Sequence, residues 1–168
     1  GGDDHPYPID QGGIDISRYG NNTFGGNKSY HVIGRHTDYF GGYWEASDFG
    51  FVHWSPYQQK PGKKIWMWST SREGAIWEDL LTDKDLGNRQ YVEIQSGLLF
   101  NQAGSNSTFS PFKHLEFPSD GTVLFEEIWA PVLATGGIAE ATPTGVLNVM
   151  AIDGQLEVRL CPLQSLRD

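Results

Sequence analysis

Along most of the chain, apolar and polar positions alternate with a period of two, in runs of five to eight residues closed by Gly, Pro, Asn or Asp. That period belongs to half-buried strands rather than to helices. The alternation predicts strands over Tyr30–Arg35, Asp38–Glu45, Phe49–Trp54, Lys63–Ser69, Tyr91–Ser96, Lys113–Phe117, Thr122–Val132, Val146–Ile152 and Gln155–Leu160. Within Phe49–Trp54, Phe49, Phe51 and His53 share one face, and Gly50, Val52 and Trp54 the other. In the next strand Ile65 and Met67 oppose Lys64, Trp66 and Trp68. The longest predicted strand, Thr122–Val132, sends the adjacent Glu126 and Glu127 to opposite faces. Arg72–Leu81 breaks the pattern: Ala75, Ile76, Trp77 and Leu80 form a helical stripe behind a potential Ser71 cap.

Turn chemistry sets the connections. Ala46-Ser47-Asp48 is a hairpin-length loop, and Asp153-Gly154 is the strongest two-residue hairpin signal. Lys60, Lys63 and Lys64 surround a Pro61-Gly62 turn and read as a solvated hairpin tip. Residues 133–145 lack bulk and read as a linker. The spacing predicts an all-β antiparallel β-sandwich of roughly nine to eleven short strands. Three regions are expected: an extended arm over 1–30, the β-sandwich over 31–145, and a hairpin over 146–168 that could begin a following β-rich domain.

Composition narrows the function. The 168 residues carry a formal charge of −9, which disfavours nucleic acid as a partner. No apolar run approaches the roughly 20 residues of a membrane span, so no membrane insertion is expected. The single Cys161 excludes an internal disulfide and a cysteine-based zinc cluster. Cytoplasm and bacterial periplasm suit such a chain equally. No phosphate loop, Ser-His-Asp arrangement or metalloprotease helix occurs, and no cofactor is expected.

What stands out is aromatic. Ten of the thirty residues from Tyr39 to Trp68 are aromatic, and five of six tryptophans fall between Trp44 and Trp77. Such a surplus either fills a core or makes flat platforms for a ligand with apolar faces, such as a sugar ring. Trp44, Trp54, Trp66, Trp68 and Trp77 are the platform candidates. Lys64, Arg72 and Asn101 could bond to hydroxyls. Glu93, mid-strand beside Tyr91 and Gln95, is the candidate general base, and His53 the candidate acid. Each has a plainer role open to it: core packing for the tryptophans, a salt-bridged strand residue for Glu93, a hydrogen-bonded core imidazole for His53.

The segments DYFGGYWEASDFGFVHWSPYQQKPGKKIWMWS, WEDLLTD, YVEIQSGLLFNQ and LFEEIWAPV, in that order, resemble an uncharacterised bacterial domain often found ahead of tetratricopeptide repeats. That domain is assigned to the galactose mutarotase-like supersandwich fold. The resemblance implies a carbohydrate-facing groove and the C-terminal half of a supersandwich, with an upstream half-domain or a homo-oligomer completing it. YVEIQSG is also similar, more weakly, to a strand of aldose 1-epimerases. Three readings follow: a carbohydrate-binding module, an epimerase or glycoside-processing enzyme using Glu93, or a structural, partner-binding module.

Overall fold

The computed structural model describes residues 5–32, 37–68, 70–81, 91–99 and 118–165. Among these, nine strands form three three-stranded sheets, and every strand pair with a defined register is antiparallel. The strands are β1 (Asn27–His31), β2 (Tyr39–Trp44), β3 (Phe49–Trp54), β4 (Gly62–Trp68), β5 (Val92–Gly97), β6 (Ile128–Leu133), β7 (Glu140–Thr142), β8 (Gly145–Ile152) and β9 (Gln155–Pro162). One α-helix, α1 (Arg72–Leu81), joins them. The sheet orders are β1-β4-β5, β2-β3-β6 and β7-β8-β9. No helix among the described residues is long and apolar enough to cross a membrane. The predicted strand over Lys113–Phe117 lies outside the described residues.

The chain divides into two compact units. The first comprises Gly1–His31, Lys64–Gln95 and Asn101–Lys113; the second comprises Val32–Lys63, Ser96–Phe100 and His114–Asp168. In the first unit, β1 pairs with β4 from Asn27↔Trp68 to His31↔Lys64. The N-terminal segment is pinned by side chains. Buried Asn22 donates to Arg18 O at 2.8 Å and accepts from the Tyr30 hydroxyl at 2.8 Å. Tyr19 donates to Glu78 Oε1 at 2.5 Å and accepts the Tyr91 N–H at 3.2 Å. The helix has the predicted limits, and Ser71 Oγ accepts the Gly74 N–H at 3.4 Å. Its apolar stripe is not a core, however. Ile76, Trp77 and Leu80 are exposed, and within the helix only Gly74 is buried.

In the second unit two sheets pack face to face. Val52, Ala130 and Val132 from β3 and β6 meet Ala141 and Val146 from β7 and β8. Fully burying each valine contributes roughly 1.5–3 kcal/mol. The Asp153-Gly154 turn forms as predicted: both residues have positive φ (51° and 77°), as a type I′ turn requires. The opposite face of β9 leaves Leu156, Val158 and Leu160 exposed.

Three local expectations are corrected. First, β6 begins at Ile128, not Thr122, and residues 122–127 lie outside any strand. Its partner explains this: Trp54 pairs with Ile128, and after it Ser55 and Pro56 turn away, leaving nothing to pair with. Second, the 133–145 segment contains β7, which extends the β8-β9 hairpin into a sheet. Third, the lysine turn is not solvated. Lys60, Lys63 and Lys64 are all buried, and Lys63 is 1% exposed. Gly62 is required there, because a Cβ would overlap the Leu99 carbonyl oxygen. The Lys63 ammonium finds three acceptors: Lys60 O at 2.9 Å, Ser55 Oγ at 3.0 Å and Ser55 O at 3.3 Å.

Burial pushes the Lys63 pKa down to about 8, against a partial opposing pull from Asp38. A lysine in the unfolded chain titrates near 10.5. Between these values the unfolded state holds more protons, so stability rises with pH through that window. Denaturant titrations at a series of pH values are expected to show the parent gaining up to about 3 kcal/mol relative to Lys63→Met between the two pKa values. Parallel pH curves for the two proteins would mean that Lys63 stays solvated.

Candidate functional site

The residues singled out by sequence separate into distinct settings. In the first unit, Lys64, Trp66 and Trp68 alternate along β4, and the Trp68 N–H donates to Tyr91 O at 3.4 Å beside β5. Lys64 Nζ sits 4.8 Å from the Trp66 ring centroid, and the Trp68 and Trp77 rings lie 4.7 Å apart. Glu93 is held as an acceptor by the Tyr91 hydroxyl (3.1 Å) and the Gln95 amide (3.1 Å). Burial lowers the Lys64 pKa, and the Glu93 charge partly restores it. Trp66 and Trp68 are half-buried, with their indole nitrogens enclosed and lacking an acceptor among the described residues. The Trp68 ring packs on Trp77 of α1, which is itself exposed. Arg72 is exposed at the start of α1, and Asn101 lies outside the described residues.

In the second unit, the face of β3 opposite the valine core carries His53 between Phe40 of β2 and Trp129 of β6, with ring centroids at 5.2 and 4.4 Å. Phe51 shares this face, as alternation predicts, and stacks on Trp129 at 5.9 Å. His53 is fully buried. Its Nε2 lies 3.1 Å from Glu127 Oε2, and the same oxygen accepts from Lys60 Nζ at 2.5 Å. Lys60 also lies over the Phe125 ring at 3.9 Å. Burial holds the His53 pKa below its ordinary value, although the Glu127 bond opposes this. Burial by itself would raise Glu127; the bonds from Lys60 and His53 outweigh it, and the carboxyl falls below the usual range. A carboxylate only accepts, so the neutral ring carries its proton on Nε2. Its Nδ1 has no partner among the described residues. His53 and Glu93 belong to different units, and each has its own partners.

Glu127 and Lys60 were missed as site residues. They stand 67 positions apart, and no local pattern connects them. The alternation of Thr122–Val132 also assigned Glu127 to a strand it does not join.

Trp54 is half-buried at the edge of a cavity. It pairs with Tyr39 across β2 and β3, on the face that carries Val52. Where the valine core ends, that face continues into a cavity of about 750 Å³, walled by Tyr39, Trp54 and Tyr57 together with Asp38, Gln58 and Glu140. Asp38 Oδ1 accepts the Tyr57 N–H at 2.8 Å, and the Tyr39 hydroxyl donates to Ala139 O at 2.6 Å. A second cavity, of about 500 Å³, lies against Trp129, Cys161 and Leu163; no charged side chain lines it among the described residues. Trp44 packs on Phe49 at 6.0 Å, away from both cavities' lining residues.

Comparison with known proteins gives one family. The model described as Domain of unknown function (DUF5107) matches residues 1–132, more than three-quarters of the chain, and the chain belongs to that family. No curated protein and no solved structure matches it.

Removing the Glu127 charge tests the buried cluster. Glu127→Gln is expected to lower the His53 pKa further, because the interaction that favours imidazolium is weakened. It should also destabilise the fold by about 1–3 kcal/mol, through a poorly compensated Lys60. NMR titration of the imidazole and denaturant unfolding measure the two effects. A His53 pKa that rises or stays put would rule out the pairing.

Proposed function

We propose that this member of the DUF5107 family is a carbohydrate-binding module whose ligand occupies the cavity beside Trp54. The observation that carries this is the lining. Three aromatic rings stand with two carboxylates and a carboxamide around a space of about 750 Å³. That volume lies within the roughly 300–1,000 Å³ of small-molecule sites. A sugar ring has apolar C–H faces, which stack on aromatic rings, and a hydroxyl periphery, which donates to carboxylates and pairs with amides. The cavity offers both chemistries from one β-sandwich end. The cavity near Cys161 has a single aromatic ring, Trp129, and a single polar side chain, Gln164, among its described lining residues, and no carboxylate.

An epimerase reading, with Glu93 as base and His53 as acid, has weaker support. Glu93 is well oriented, but His53 is enclosed by aromatic rings, is held neutral by burial, and already commits its Nε2 to Glu127. A structural or partner-binding role would leave the cavity without a ligand.

Titrating tryptophan fluorescence with mono- and oligosaccharides is expected to give a saturable change. Trp54→Ala and Tyr57→Ala should each weaken binding about tenfold, whereas Trp66→Phe should leave it intact. A folded sample that answers to no saccharide would sink the proposal. Polarimetry of freshly dissolved α-glucose and α-galactose addresses the enzyme reading. Equal decay rates with the protein, with Glu93→Gln and with buffer are expected, and a faster rate that Glu93→Gln abolishes would reinstate catalysis.

A further inference from the structure

We infer that the cavity beside Trp54 selects sugars carrying a positive charge, that is, amino sugars with a free ammonium group, and disfavours uronic acids and phosphorylated sugars. This deepens the carbohydrate proposal and rests on it. Two carboxylates, Asp38 and Glu140, line the cavity, and none of its described lining residues is Lys, Arg or His. Both acids are exposed, so neither is sequestered in the core. The Asp38 carboxylate is also steered into place, since its Oδ1 accepts the Tyr57 backbone N–H at 2.8 Å.

The rings act in the same direction. Tyr39, Trp54 and Tyr57 line the same space, and the face of an aromatic ring carries negative potential that attracts a cation. Among the described residues, Lys63 opposes these groups, since it feels the Asp38 charge from its buried position. It offsets part of one carboxylate and leaves Glu140, on β7, as the main electrostatic determinant. An anionic sugar would meet two like charges with no base among the described lining residues to receive it. A neutral sugar can donate its hydroxyls to the carboxylates but brings no opposite charge to pair with them.

Calorimetric titration of the intact chain with four monosaccharides tests this, at mildly acidic pH where the sugar amine is protonated. They are glucosamine, glucose, N-acetylglucosamine and glucuronate. Glucosamine is expected to bind about three- to tenfold tighter than glucose, from one exposed ion pair plus cation–π attraction. N-acetylglucosamine, of similar shape but uncharged at nitrogen, should fall near glucose, and glucuronate should bind weakest. The glucosamine advantage should shrink in added sodium chloride and collapse in Glu140→Gln. Salt dependence is read on the unaltered protein and does not rely on the variant folding.

Glucosamine binding no tighter than glucose would overturn charge selection while leaving the carbohydrate proposal in place. A preference that survives both salt and Glu140→Gln would overturn the electrostatic cause. Absence of binding by all four, and by the wider saccharide panel, would overturn both proposals.

Discussion

A buried lysine has three N–H donors to satisfy, and Lys63 satisfies them within the loop that precedes it. Ser55 supplies its carbonyl and hydroxyl, and Lys60 its carbonyl. An ammonium without such acceptors would carry a desolvation cost of several kcal/mol. The ammonium therefore fixes the path of the chain from Ser55 to Lys63 as it leaves β3 and enters β4. Most of what is chemically distinctive in the second unit sits along that path. Tyr57 and Gln58 line the cavity, Lys60 reaches Glu127, and Gln59 Oε1 accepts the Glu126 N–H at 2.6 Å.

The two faces of β3 then take different tasks. One carries Val52 into the hydrophobic core and ends at Trp54, where the core opens into the cavity. The other carries His53 into an aromatic enclosure closed by Glu127 and Lys60. That enclosure is polar but nearly complete, which makes it a brace rather than a binding surface. A buried polar cluster of this kind is costly when any member is removed. The cavity has the reverse character, with carboxylates left exposed and rings accessible from one end.

Much of the fold was legible in the sequence. The period-two alternation located β2, β3, β4, β5 and the β8–β9 hairpin to within a residue or two, because successive side chains of a strand point to opposite faces and the pattern is carried by near neighbours. The helix limits were legible from the stripe and its Ser71 cap. The aromatic surplus was correctly seen as needing a division between core and surface. How that division falls was not legible: Trp66 and Trp68 share a face by alternation, and only the structure shows them half-buried with their indole nitrogens enclosed. Nothing in the sequence set Trp54 apart from the other candidates, and the structure places it in the wall of a cavity.

Sequence alone determined the all-β class, the hairpin turns and the absence of phosphate-loop and cysteine-metal motifs. These depend on neighbours a few positions apart, whose sterics and periodicity are local. Tertiary structure decided which charges are buried. Three lysines around a Pro-Gly turn look solvated to any local rule, because burial depends on what other segments bring. Here Glu127 and the Leu99 carbonyl do so from distant parts of the chain, and Ser55 does so from the end of β3. It also decided where β6 begins, since a strand lasts only as long as its partner. And it gathered Asp38, Trp54, Tyr57 and Glu140 at one end of the sandwich, an assembly across about a hundred residues that no spacing in the sequence encodes.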